Sequence, residues 1–462
     1  MKMGWEQNFR VRVQEGTKEV FDAVCHSVLL LLCFWVPIQP ILPIRTYRLV
    51  EVIIILMGAM SFAIHGMVRV PLLIRLSFWV SLAGWMVSTG FSPYIKQSID
   101  VGTLEILVFY AVSYLATVHL RGQRDLVAAS TLFAAGAAVI AVVQTVAIVQ
   151  SVQAKFQALS SPLPLPVLAS EFLRYKAAVP QLFPAGVPNS YGNIDNYASL
   201  CALLLPWLVG LLYVSRQRWL ILGLFLIHAY AGLVVYSRGV VLVFVAAVCA
   251  LWIFRFRAYG RLSPAICAVL VGTVFLHADF KMVSTFVGGV TSFVSAMGAR
   301  PTASEAPSVR IEKAEEYEEN EKYEKHEKYD KSPAERAQAL STGISIGLMS
   351  SMMGVGFGTY PTIDTALTSP HSLAVLRFAE GGLLGLIGFA MLAVYAPFRL
   401  LQVLKLREKH MLVATCLCAI SAFMAKAVIF GANFSVSSNF VWGFGVALCL
   451  AGSLCEREEH AS

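Results

Sequence analysis

Charge is what this sequence has least of. Only 14% of its 462 residues are Asp, Glu, Lys or Arg, whereas soluble domains carry about 25%. Together with 57% hydrophobic side chains and a mean hydropathy of +0.68, that deficit excludes an ordinary water-soluble globule. The cysteines lack the spacing of a disulfide framework or a metal cluster. Cys25, Cys33, Cys201, Cys249, Cys267, Cys416, Cys418, Cys449 and Cys455 all fall within or at the ends of apolar stretches, so neither is expected from them. No small-residue cleavage site follows the first apolar stretch, which is therefore expected to remain as a helix. No internal repeat relates the two halves, and such repeats mark many transporters.

What is present is a succession of apolar runs. Twelve candidate spans lie near 22–42, 48–66, 70–89, 101–120, 125–149, 195–214, 218–235, 239–254, 262–280, 372–398, 410–430 and 434–455. About 20 apolar residues cross about 30 Å of hydrocarbon as a helix. The expected fold is therefore all-α, a polytopic membrane helical bundle of about 12 transmembrane helices forming a single integral membrane domain over 1–462. The net charge of +8 would suggest nucleic acid in a soluble protein. Here it is a topology signal. The N-terminus and one set of short connections hold seventeen Lys or Arg residues, while the alternate short connections hold only Arg45, Arg48, Lys96 and Arg238. By the positive-inside rule the first set is cytoplasmic, which puts both termini inside.

Two long polar loops then face outward, 150–194 and 281–371. The first is rich in Pro and Gly, which forbid a long regular element. Its stretch 167–178 could lie as a short helix along the interface, with Arg174 and Lys176 near lipid phosphates. The second carries IEKAEEYEENEKYEKHEKYDK over 311–331. This run has no apolar face, so a solvated insertion is expected, and its His326 is not a ligand.

Four polar clusters fall on the outward side. The first is Gly192-Asn193-Ile194-Asp195-Asn196, where a helix begins. Helix capping accounts for one such side chain, but Asn193, Asp195 and Asn196 together exceed what a cap needs. The second is Tyr236-Ser237-Arg238-Gly239, between closely joined spans. An arginine at the hydrocarbon edge either snorkels to headgroups or faces a wet cavity, and its donor fork suits phosphate oxygens.

The third cluster is Arg336, on a helix expected to run along the membrane surface to a turn at Gly354-Val355-Gly356-Phe357-Gly358. No strand precedes that turn, so a dinucleotide fingerprint is rejected. Its glycines are expected to turn the chain back toward the bundle. The fourth is His371, at the threshold of an apolar helix, with Arg377 and Glu380 further along. Spacings of six and nine put neither residue on the face of His371. Lone histidines are commonly structural, yet an imidazole at this edge can take a proton from a hydroxyl.

In this order and on one side, the clusters resemble the O-antigen ligase and O-antigen polymerase superfamily of bacterial surface-polysaccharide enzymes. The matching residues are GNIDNYAS, the Ser237-Arg238-Gly239 turn, Arg336, the Gly354–Gly358 turn, and His371 followed by Ala379, Glu380, Gly382 and Gly385. Ser372 stands where the family commonly has Asn, Ile194-Asp195 replaces Pro-Asn, and the insertion 311–331 has no counterpart.

The resemblance implies a metal-independent, cofactor-free inverting glycosyltransferase in the bacterial inner membrane, with its active site in the periplasm. Its donor is a glycan on undecaprenyl diphosphate, and its acceptor is lipid A-core or another lipid-linked glycan. It further implies His371 as catalytic base, Arg238 and Arg336 as diphosphate ligands, and Asn193, Asp195 and Asn196 as substrate-binding residues. Ligase is expected, with polymerase as the alternative. A lipid-linked oligosaccharide transporter is the reading from another class, which Glu105 as the main candidate intramembrane charge supports only weakly.

Overall fold

The computed structural model describes residues 2–39, 47–66, 70–120, 122–158, 194–235, 328–360, 372–405, 411–429 and 436–454. In chain order the helices are α1 (Lys2–Ile38), α2 (Tyr47–His65), α3 (Leu72–Phe91) and α4 (Ile95–Gly102). A π-helical turn (Thr103–Val108) joins α4 to α5 (Phe109–His119), and α6 (Gln123–Ala158) follows. Then come α7 (Ile194–Val214), α8 (Arg218–Val235), α9 (Lys328–Met349), α10 (Leu373–Lys405), α11 (Met411–Ile429) and α12 (Val436–Leu454). No strand occurs among the described residues.

Among the described residues, six helical stretches are long and apolar enough to cross a membrane: Gly16–Ile38, Arg48–His65, Leu72–Phe91, Ile95–His119, Gln123–Val143 and Leu373–Val403. Four shorter apolar stretches, Ser199–Val214, Arg218–Ala229, Leu412–Val428 and Phe440–Leu454, coincide with four more of the expected spans. A count of twelve is thus not reached, and the expected spans 239–254 and 262–280 lie outside the described residues. On α2, Leu49, Val52, Leu56 and Met60 form an exposed apolar stripe at helical spacing. In water such a stripe is a liability; facing lipid, it is the surface a spanning helix needs.

Helical structure extends into both expected loops. Helix α6 runs to Ala158, so the first residues of the expected loop 150–194 are helical. Helix α9 starts at Lys328, inside the charged insertion and ahead of Pro333. Lys, Glu and Ala favour helix wherever packing leaves the choice open, and hydropathy alone does not register such polar extensions. The interfacial stretch 167–178 and most of 281–371 fall outside the described residues.

The core forms where α5, α6, α7, α11 and α12 meet. Phe133 on α6 stacks on Phe444 of α12, with ring centroids 6.1 Å apart, and leans on Trp207 of α7 at 5.9 Å. A second close contact pairs α3 with α10. A Cβ added at Gly84 would stand 2.7 Å from the Gly385 amide nitrogen, so the two backbones nearly touch. Ser77 Oγ donates to the Gly388 carbonyl at 2.8 Å. Small residues at such a seam exchange side-chain bulk for backbone approach, the usual device for packing helices in lipid.

Candidate active site at the start of α10

Helix α10 is broken at Gly382, whose backbone (φ 65°, ψ −160°) is not helical. An interrupted helix leaves amides and carbonyls without their usual partners, and inside a bilayer water cannot replace them. The turn Gly354–Gly358 supplies the replacements. Val355 N donates to Ala379 O at 3.0 Å, Gly356 N to Glu380 O at 2.9 Å, and in return Leu383 N donates to Met352 O at 2.8 Å. Gly354 and Gly356 carry φ of +82° and +103°, a region glycine visits freely and bulkier residues do not. The two stretches that carried the family resemblance, 354–358 and 379–385, are therefore one hydrogen-bonded unit.

Glu380 is fully buried in that unit, and its Oε1 accepts the Tyr360 amide at 3.2 Å. On the other flank Phe357 N donates to Ser98 Oγ of α4 at 3.0 Å, and Gln97 Nε2 donates to the Gly358 carbonyl. The turn is thus pinned between α4 and α10.

Arg377 points into the bundle and pairs with Glu105 of the π-helical turn. Its guanidinium carbon lies 5.1 Å from the centre of the Phe357 ring, an arrangement favoured by the ring quadrupole. The pair forms one pole of a cavity of about 130 Å³. Ser77, Ser81 and Tyr110 give it a second polar edge, and Phe109, Phe389, Phe423, Phe440 and Trp442 add aromatic wall alongside aliphatic residues such as Ile106, Leu392 and Val446. Leu373, in the first turn of α10, also lines it.

Of the residues assigned from sequence, His371, Arg238 and Asn193 lie outside the described residues. Asp195 and Asn196 are the second and third residues of α7, and Arg336 lies on α9; for these three only the backbone is described. Helix α9 packs against α10. Ala339, one turn beyond Arg336, is buried, with its carbonyl 3.5 Å from the Tyr360 hydroxyl. Ser372, which follows His371 in sequence, is buried; its carbonyl accepts the Leu376 amide at 2.9 Å, opening α10. Its hydroxyl has no hydrogen-bond partner among the described residues. This is the position where the family resemblance puts Asn.

Two features escaped the sequence reading. Glu105 and Arg377 were each noted, but not as partners. The other is at the far end of the bundle, where Asp22, His65 and His119 come together; polar residues are therefore not gathered at one face alone. Opposite charges one turn inside neighbouring span ends, and polar residues at three span ends of equal sidedness, were the signals available. No model of a known protein family matches the chain, and neither does any curated protein.

Proposed function

We propose that the chain is an O-antigen ligase-like glycosyltransferase. It moves a glycan from undecaprenyl diphosphate to a sugar hydroxyl of lipid A-core at the periplasmic face of the inner membrane. The observation that carries this reading is the joining of the Met352–Gly358 segment, which contains the glycine turn, to the Ala379–Gly385 stretch through three backbone hydrogen bonds. Two short patterns that are weak alone become a single structural element beside a half-aromatic cavity, at the helix that follows His371.

The donor is already activated, so no nucleotide is needed outside the cytoplasm. Lowering the barrier reduces to removing the acceptor proton and stabilising the departing diphosphate. In this scheme His371 accepts the proton from the acceptor hydroxyl. The oxygen attacks the anomeric carbon from the side opposite the phosphate, the C–O bond to phosphate breaks, and undecaprenyl diphosphate leaves with the bonding pair. The configuration inverts. Arg238 and Arg336 neutralise the leaving charge, and Asn193, Asp195 and Asn196 bind the sugar portion. Base catalysis of this kind contributes about 10²–10⁴-fold.

The test is transfer by purified protein given a lipid-linked glycan donor and two competing acceptors, lipid A-core and a second lipid-linked glycan. Transfer to lipid A-core, lost in His371→Ala, supports the ligase reading. Transfer only to the lipid-linked glycan makes the protein a polymerase. No transfer to either, from protein that binds the donor, overturns the assignment.

A further inference from the structure

Fourteen residues along from Glu105, roughly 21 Å at the rise of a helix, the same helical run ends in a second polar cluster. Asp22 comes from α1, His65 is the last residue of α2, and His119 is the last of α5. Each offers one ligand atom, and the three atoms lie within 4.8 Å of one another. His65 Nε2 is 2.7 Å from Asp22 Oδ1, and His119 Nδ1 is 3.6 Å from that same oxygen. The two imidazoles meet edge to face with centroids 5.5 Å apart. We propose that Asp22, His65 and His119 bind a divalent transition-metal ion, zinc foremost.

The donor chemistry fits. Two imidazoles and one carboxylate form the set used by open zinc sites and by non-haem iron. Bonds of about 2.1 Å place ligand atoms roughly 3.4 Å apart in a tetrahedron. The separations from Asp22 Oδ1, 2.7 and 3.6 Å, lie either side of that value, so small side-chain rotations suffice.

The surroundings orient the ligands. His119 Nε2 is 2.9 Å from Ser61 Oγ. Nδ1 of the same ring faces Asp22 at 3.6 Å. His26 Nδ1 lies 3.0 Å from the His119 carbonyl, and Tyr114 donates to the Gly66 carbonyl at 2.7 Å, fixing the chain next to His65. Such outer partners are what hold metal-binding imidazoles in place.

Both imidazoles are withdrawn from solvent, at 7% and 1% exposed, and His65 is already within hydrogen-bond distance of Asp22. A divalent ion satisfies all three groups at once. The Asp22 side chain is 32% exposed, so the cluster is reachable from outside the bundle. The cluster is separate from the start of α10, and this inference does not rest on the transferase reading.

The experiment uses full-length protein in detergent micelles, purified through a tag free of histidine and stripped with chelator. Titration with Co²⁺ should give visible d–d bands saturating at one ion per chain, and Zn²⁺ should displace them and raise the melting temperature. Asp22→Asn and His65→Ala should bind at least about 100-fold more weakly, and Ser61→Ala about 10-fold more weakly. Folded wild-type protein that shows no cobalt bands and retains no zinc overturns the proposal without recourse to any variant. So does binding that Asp22→Asn and His65→Ala leave unchanged.

Discussion

Arg377 on α10 is paired with Glu105 on the π-helical turn, 272 positions earlier in the chain, and both side chains are largely withdrawn from solvent, at 14% and 7% exposed. Glu380, fully buried, stands three residues along α10 from Arg377. The three groups form one electrostatic unit.

Breaking that unit asymmetrically should show its sign. Removing one partner of a buried pair costs on the order of 3–5 kcal/mol, because the other charge is left behind. Arg377→Met strands Glu105 beside Glu380, and so should lower the melting temperature in micelles more than Glu105→Gln does. The double variant should recover much of the loss. Additive losses would mean the two residues do not interact.

The turn on α10 makes a second prediction. Gly356→Ala and Gly382→Ala each force a side chain into positive φ, at +103° and +65°, and a Cβ at 382 would collide with the Met352 carbonyl. Backbone strain alone costs about 1–3 kcal/mol at such positions. Both variants should unfold earlier on heating than Gly90→Ala, where an added Cβ meets nothing. Equal stability among the three would show that the turn is not docked.

Ser372→Ala separates stability from function. Its hydroxyl is buried without a partner among the described residues, so deleting it should change stability by less than about 1 kcal/mol. Glycan transfer should fall in the same variant, because a buried hydroxyl one residue along the chain from the proposed base is then lost. Unchanged transfer would assign the group no role.

His371→Ala and Arg238→Ala should each abolish surface glycan transfer in cells at unchanged protein abundance. Arg238→Lys should also be poor, since an ammonium lacks the bidentate fork. Surface glycan at wild-type levels in the His371→Ala strain would remove that residue from the mechanism.

The spans were readable because a bilayer demands long apolar runs, and every expected span within the described residues coincides with a helix. The ends were not readable. Lys2–Thr17 and Ser151–Ala158 extend α1 and α6 with polar residues, which hydropathy assigns to nothing. The glycines at 354, 356 and 358 announced a turn but not its dock, since the carbonyls it satisfies exist only because α10 breaks at Gly382. Arg377 and Glu105 were visible as isolated charges; which helices are neighbours is a tertiary fact. The attention given to cysteine as a metal ligand passed over Asp22, His65 and His119, which no local spacing connects.

The π-helical turn Thr103–Val108 carries Glu105 of one polar centre and leads along the same run to His119 of the other. It accommodates one residue more than an α-helix of the same rise, and each residue advances a helix by about 100°. The helical run from Ile95 to His119 can therefore aim Glu105 at Arg377 and, further along, His119 at Asp22. Excising one residue there would relax the turn to regular winding and rotate one half against the other. The shortened chain would have to give up one of its two appointments.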